Sequence, residues 1–231
     1  MSKLHVQEWT RPGATRTAVL LHMLTQSSNT WWRVGPELAE RGYRVLAPDL
    51  PGHGHSPRAA TYSIDAMVEA LVASVPAGPD LVVAHSFGAI VLARCVEVIA
   101  PARVVYAEPA WVPVGDRSRF EFYQSQKRWT IDDVRAESPK WPAEAHAAKL
   151  ESLRLWDAET LQAIDGFPGL EPAAPRVPSL IVTADPSRII PAERVERLRA
   201  QGYTVRVQAD SAHVLHNEDF DGFMKSLADW V

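Results

Sequence analysis

Two side chains in this 231-residue sequence have the types and settings to carry acyl chemistry: a serine at 86 and a histidine at 213. Ser86 lies in VVAHSFGAIVLARC, where an apolar run ends, a tight A-H-S-F-G turn follows and a nearly uncharged helical stretch begins. Such a strand–turn–helix can lift a hydroxyl above a sheet, provided that the residues two before and two after it are small. Ala84 and Gly88 meet that demand. The backbone N–H of Phe87, at the start of the helix, would then face any oxyanion formed on an attacked carbonyl. The plainer reading makes Ser86 an ordinary helix cap. A serine hydroxyl needs a base to react at neutral pH. Of eight histidines, His213 in ADSAHVLHNEDF follows the last strand and precedes the last helix, so its loop returns to the same sheet edge. His216 competes with it and is expected to face the following turn.

Positioning those two groups requires a particular scaffold. Short apolar runs alternate with amphipathic helical segments along the chain. Strands are expected at Leu4–Trp9, Thr17–His22, Tyr43–Pro48, Asp80–Ala84, Arg103–Ala107, Ser179–Thr183 and Tyr203–Val207. Helices are expected at Trp31–Arg41, after the N-cap Ser63, and at Phe87–Ile99, Pro191–Gln201 and Phe220–Val231. This alternation predicts an α/β fold: a mostly parallel central sheet with helices on both faces. The rhythm breaks between Glu108 and Val177, which contains Trp111, Trp129, Trp141 and Trp156 and no convincing strand. Residues 109–177 read as a short helical cap inserted over the carboxyl edge of the sheet, where open α/β sheets bind ligands. One domain accounts for the whole chain.

Composition narrows the function. The net charge is −4 and 46% of residues are hydrophobic, so the chain can bury a core and has no basic footprint for nucleic acid or anionic membrane. A single cysteine, Cys95, excludes an internal disulfide and is expected to be a buried, inert thiol. Neither a leader segment nor a membrane span is visible, and a cytoplasmic protein is expected.

Four segments in order carry a family resemblance: LLHMLTQSSNTWW, GYRVLAPDLPGHGHSP, AHSFG and SAHVLHNEDFDGF. The chain resembles the α/β-hydrolase fold superfamily, in its small esterase, lactonase and perhydrolase-like branch, over nearly its whole length. The resemblance implies that the Leu24 N–H joins Phe87 as oxyanion donor. Met23 replaces the usual glycine there, restricting the turn and adding bulk at the pocket wall. His53 and His55 fall in the family's glycine loop with no third ligand nearby, so no metal is expected. The triad acid has two candidate places. One follows the SLIVT strand, where counting falls on Ser187, and Asp185 is two residues early; the other is Glu108, where some relatives, among them lactonases, carry it. Glu108 is preferred and Asp185 is the alternative. The implied activity is a cofactor-free serine hydrolase acting on a small apolar or aromatic ester, lactone or thioester, with Met23, Trp111 and Trp129 as pocket candidates. Two rivals share the fold: a cofactor-free dioxygenase or perhydrolase-type enzyme, and a ligand-binding protein with little turnover.

Overall fold

A computed structural model describes residues 3–113, 117–170 and 172–231. The strands are β1 (Val6–Trp9), β2 (Arg16–Leu21), β3 (Tyr43–Pro48), β4 (Leu81–His85), β5 (Val104–Ala107), β6 (Ser179–Asp185) and β7 (Thr204–Ala209). They form one sheet in the order β1-β3-β2-β4-β5-β6-β7. β1 runs antiparallel to β3 and every other pairing is parallel. The mostly parallel sheet expected from the alternation is the one observed.

The helices are α1 (Val34–Glu40), α2 (Ile64–Val72), α3 (Phe87–Ile99), α4 (Arg117–Ser125), α5 (Ile131–Glu137), α6 (Ala143–Leu155), α7 (Ala192–Ala200), α8 (Leu215–Glu218) and α9 (Phe220–Ser226). Ser63 caps α2 as expected, its Oγ accepting from the Ala66 N–H at 3.1 Å. The single helix expected at Trp31–Arg41 is instead a 3₁₀ turn (Ser28–Trp31) followed by α1. Phe220–Val231 ends early, at Ser226.

Successive strand side chains point to opposite faces, and both faces are covered. Val19, Leu21, Val82 and Ala84 pack with Val91 and Leu92 of α3 on one side. Ala18, Leu20, Leu81 and Val83 pack with Leu38 of α1 and Phe223 of α9 on the other. This two-sided burial explains why β2 and β4 read as apolar runs without alternation. Between Glu108 and Ser179 the described residues hold α4, α5, α6 and two 3₁₀ turns, Gln126–Arg128 and Ala158–Ile164, and no strand. Thr130 and Asp133 form a reciprocal capping box at the start of α5. Among the described residues no helix is long and apolar enough to cross a membrane.

Candidate active site

Sheet register brings the chemistry together. Leu21 pairs with Ala84, His85 with Ala107, and Ala107 with Val182. The segments just beyond these pairs, 22–24, Ser86, Glu108 and Thr183, therefore emerge side by side at one edge. His213 arrives four residues after β7.

Ser86 occupies the residue between β4 and α3 with φ 52° and ψ −109°. A positive φ is costly for any residue with a Cβ, and such strain concentrates at functional sites. Close packing holds the turn in place. A Cβ on Gly88 would sit 2.8 Å from the His22 carbonyl oxygen and 2.9 Å from Leu21 Cβ, so only glycine fits at that position. The Ser86 side chain makes no capping bond to its helix. Its Oγ instead meets His213 Nε2 at 2.8 Å.

The other imidazole nitrogen, His213 Nδ1, is 3.2 Å from Glu108 Oε2. Glu108 has φ 44° and is fully buried. Its Oε1 accepts from Thr183 Oγ1 at 2.6 Å and from the Ala184 N–H at 2.8 Å, while Ser187 Oγ donates to Oε2 at 3.2 Å. Burial pushes the Glu108 carboxyl upward, but the bonds and charge of His213, with those of Thr183 and Ala184, outweigh it. The net effect holds Glu108 below the ordinary carboxylate range. An ionised carboxylate only accepts, so Nδ1 carries the imidazole proton and Nε2 is left to accept from the Ser86 hydroxyl. A hydroxyl so placed can lose its proton as it attacks a carbonyl.

Asp185, the alternative acid, lies exposed at the end of β6 and makes no hydrogen bond to His213. The sequence position where counting fell on Ser187 does belong to this cluster, as a donor to Glu108 rather than as the acid.

The loop after β2 forms the opposite wall. Phe87 is the first residue of α3, so its N–H has no intrahelical acceptor. The Leu24 N–H has no acceptor among the described residues. His22 braces the peptide that carries it: Nε2 accepts from the Leu50 N–H at 3.0 Å, which leaves Nδ1–H to donate to the Met23 carbonyl at 2.8 Å. His53 Nε2 is 2.6 Å from the Leu24 carbonyl oxygen, and burial followed by the charge of His22 pushes His53 down to about 3. His55 is exposed, with its ring 5.1 Å from that of His5.

The pocket candidates divide. Met23 is 8% exposed and packs with Trp141, Ala145 and Val214, joining the loop to α6 and to the residue after His213. Trp111, expected at the pocket, is a core residue instead. It is 2% exposed, packs edge-on against Tyr106 and donates its indole N–H to the Ala89 carbonyl. Trp129 is half-buried, edge-on to Phe122. Trp141, not singled out beforehand, is the tryptophan beside Met23; its indole N–H donates to Glu218 Oε1 at 2.8 Å.

His216, expected to face the following turn, is buried. Its ring turns from α8 onto the 3₁₀ turn Ser28–Trp31, stacking on Trp31 at 4.4 Å and meeting Thr30 Oγ1 at 3.1 Å. Burial, then His213, pushes it down to about 3. His85 is enclosed as well, its Nε2 2.8 Å from the His213 carbonyl oxygen, bracing the histidine loop from below. Cys95 is buried, and burial pushes its thiol up to about 12, which leaves it unreactive. A separate surface hollow of about 310 Å³, lined by Trp32, Arg33, Lys140 and residues 216–221, includes neither Ser86 nor His213.

The model of the alpha/beta hydrolase family matches residues 18–225. A lipase, LipV, from Mycobacterium tuberculosis is 37% identical over 157 residues, covering 63% of this chain and 54% of its own length. A pimeloyl-[acyl-carrier protein] methyl ester esterase from Methylococcus capsulatus is 35% identical over 104 residues, 40% of each chain. The matches thus span about half or less of these relatives. Among solved structures, an N-formylmaleamic acid deformylase from Pseudomonas putida superposes with a TM-score of 0.80 at 20% identity, covering 97% of this chain and 95% of the other. An enol-lactonase from Burkholderia xenovorans gives 0.78 at 20% identity over 98% and 95%. At that identity the likeness is one of fold.

Proposed function

The chain belongs to the alpha/beta hydrolase family, and from that premise we propose that it is a serine hydrolase working through an acyl-enzyme. The observation that carries the reading is the unbroken contact chain from Ser86 Oγ to His213 Nε2 at 2.8 Å and from His213 Nδ1 to Glu108 at 3.2 Å. Ser86 attacks the carbonyl carbon as His213 takes its proton. The tetrahedral oxyanion lies against the Phe87 and Leu24 amides. His213 then protonates the leaving group, and a water activated by the same imidazole releases the acyl chain. Glu108 stays ionised and fixes the imidazole tautomer.

The substrate class is a small ester, lactone or thioester with an apolar acyl part. Ser86 is only 6% exposed, and Met23, next to Leu24, and Val214, next to His213, pack in an apolar cluster with Trp141. The similar proteins named as a lipase and a methyl ester esterase support ester hydrolysis. Residues 109–177 act as its cap and limit substrate size.

The deciding experiment is mass spectrometry after treatment with a fluorophosphonate. Labelling on Ser86, lost in His213→Ala, is the expected result. An unlabelled wild type, or oxygen uptake that survives Ser86→Ala, overturns the reading.

A further inference from the structure

We propose that Lys149 is a positioning residue that, from helix α6, fixes the loop carrying the Leu24 amide; this rests on the reading of that amide as an oxyanion donor. Lys149 is 6% exposed and makes no ion pair among the described residues. Its Nζ meets three oxygens: Thr25 O at 3.0 Å, Thr25 Oγ1 at 2.5 Å and Gln126 Oε1 at 2.9 Å. Two of the three belong to the residue that follows Leu24.

Enclosing an amine is expensive, and an apolar side chain would fill the same space at lower cost. Here the amine's return is directional bonding to one peptide. Burial pushes Lys149 down to about 7, with Glu137 of α5 as the charged group acting against that shift. Both protonation states can keep the three contacts. The ammonium donates to all three oxygens. The neutral amine donates to Thr25 O and Gln126 and accepts from the Thr25 hydroxyl. The contact is therefore a brace rather than a pH switch.

The rest of the loop shows why Thr25 needs such a brace. His22 holds Met23 O and His53 touches Leu24 O. Beyond Thr25, Asp49 accepts from the Ser28 N–H at 2.6 Å. Helix α6 reaches the same segment at four further contacts: Asn29 Nδ2 donates to Ala148 O at 3.0 Å and to Glu151 Oε2 at 3.1 Å, and Ser152 Oγ bonds Asn29 Oδ1 at 2.7 Å and meets Ser27 Oγ at 2.9 Å. Thr25 lies between these supports, and Lys149 is the only side chain bonded to it among the described residues. At Thr25 the loop is therefore held from outside, by α6.

The test compares the wild type with Lys149→Met, using both p-nitrophenyl acetate turnover and the rate of fluorophosphonate labelling of Ser86. A folded Lys149→Met protein should lose about tenfold or more in kcat and in labelling rate, with KM within twofold, since displacing a donor by a fraction of an ångström weakens the transition state selectively. If Lys149→Met does not fold, Thr25→Val carries the same comparison, with a smaller loss in kcat and an unchanged KM expected. Unchanged rates overturn the inference. So does a loss that tracks KM or the folded fraction alone, which would make Lys149 a structural tie only. A wild type that never labels sinks the parent reading instead, which keeps the two failures distinct.

Discussion

The two walls of the site are built by different means. The Glu108–His213 wall grows directly from the sheet: β4, β5 and β6 are neighbours in register, and the residues that hold Glu108 come from the strand beside it (Thr183 and Ala184) and from the turn just after that strand (Ser187). The Leu24 wall is a loop propped by contacts far away in sequence, with Lys149, Ala148 and Ser152 more than 110 residues downstream of Thr25 and Asn29. Hydrogen-bonded strands leave little freedom to what emerges at their ends. A propped loop is only as fixed as its props. If the proposed roles hold, placement of the acid should resist distant changes, whereas placement of the oxyanion donors should respond to α6.

Substitution at the acid gives the largest expected effect. Glu108→Gln should lower kcat by about 10⁴, the scale set by removing the charge behind a catalytic histidine, while Asp185→Asn should leave it within twofold. Steady-state kinetics on p-nitrophenyl acetate decide this, and near-full activity in Glu108→Gln would dissolve the contrast between the walls. Ser187→Ala removes one donor to a carboxylate that keeps Thr183 and Ala184. A loss of about tenfold or less in kcat is expected at unchanged KM. A loss approaching that of Glu108→Gln would show that the sheet-built wall is as fragile as the propped one.

Opposite ends of the pH scale separate the walls further. Glu108 titrates below its ordinary value of 4.5 when folded, so its stabilisation is present above that pH and is lost as pH falls through the folded value. Lys149 is also lowered, from 10.5 to about 7, so the unfolded chain binds more protons between these values and the folded state gains stability as pH rises through that window. Thermal melts should show the Tm difference between wild type and Glu108→Gln shrinking in acid, and that between wild type and Lys149→Met shifting in favour of wild type from pH 7 to pH 10. A flat Lys149 difference would mean that the amine is better solvated than its enclosure indicates. Among the loop's props the smallest effect is expected from Ser152→Ala, which leaves Lys149 in place: less than threefold in kcat, measured in the same assay.

What could be read from sequence follows the same division. The strands, and the contacts among Ser86, His213 and Glu108 on which the proposed roles rest, follow from local patterns such as apolar runs, a small-residue turn and a carboxylate at a strand end. Ser187 was visible only as an oddity of counting. Lys149 and Trp141 carry no local signal, because a lysine on a helix of mixed character is ordinarily solvated. Only the folded path of α6 over the loop reveals what they touch. Trp111 went astray for a related reason: a tryptophan near a site can equally be core, and the tyrosines at 106 and 203 that enclose it come from separate strands or their flanks. His216 was misplaced because stacking on Trp31 depends on a residue 185 positions earlier.

The left-handed backbone at Ser86 has a cost in heat resistance. Residues with a Cβ sit there at a penalty of about 1–3 kcal/mol, whereas glycine adopts the shape freely. Replacement by glycine should thus yield an inert chain that melts later than the alanine replacement, although neither has a hydroxyl. On this view the chain trades robustness for reactivity at one peptide, and the melting gap between those two dead variants measures how much.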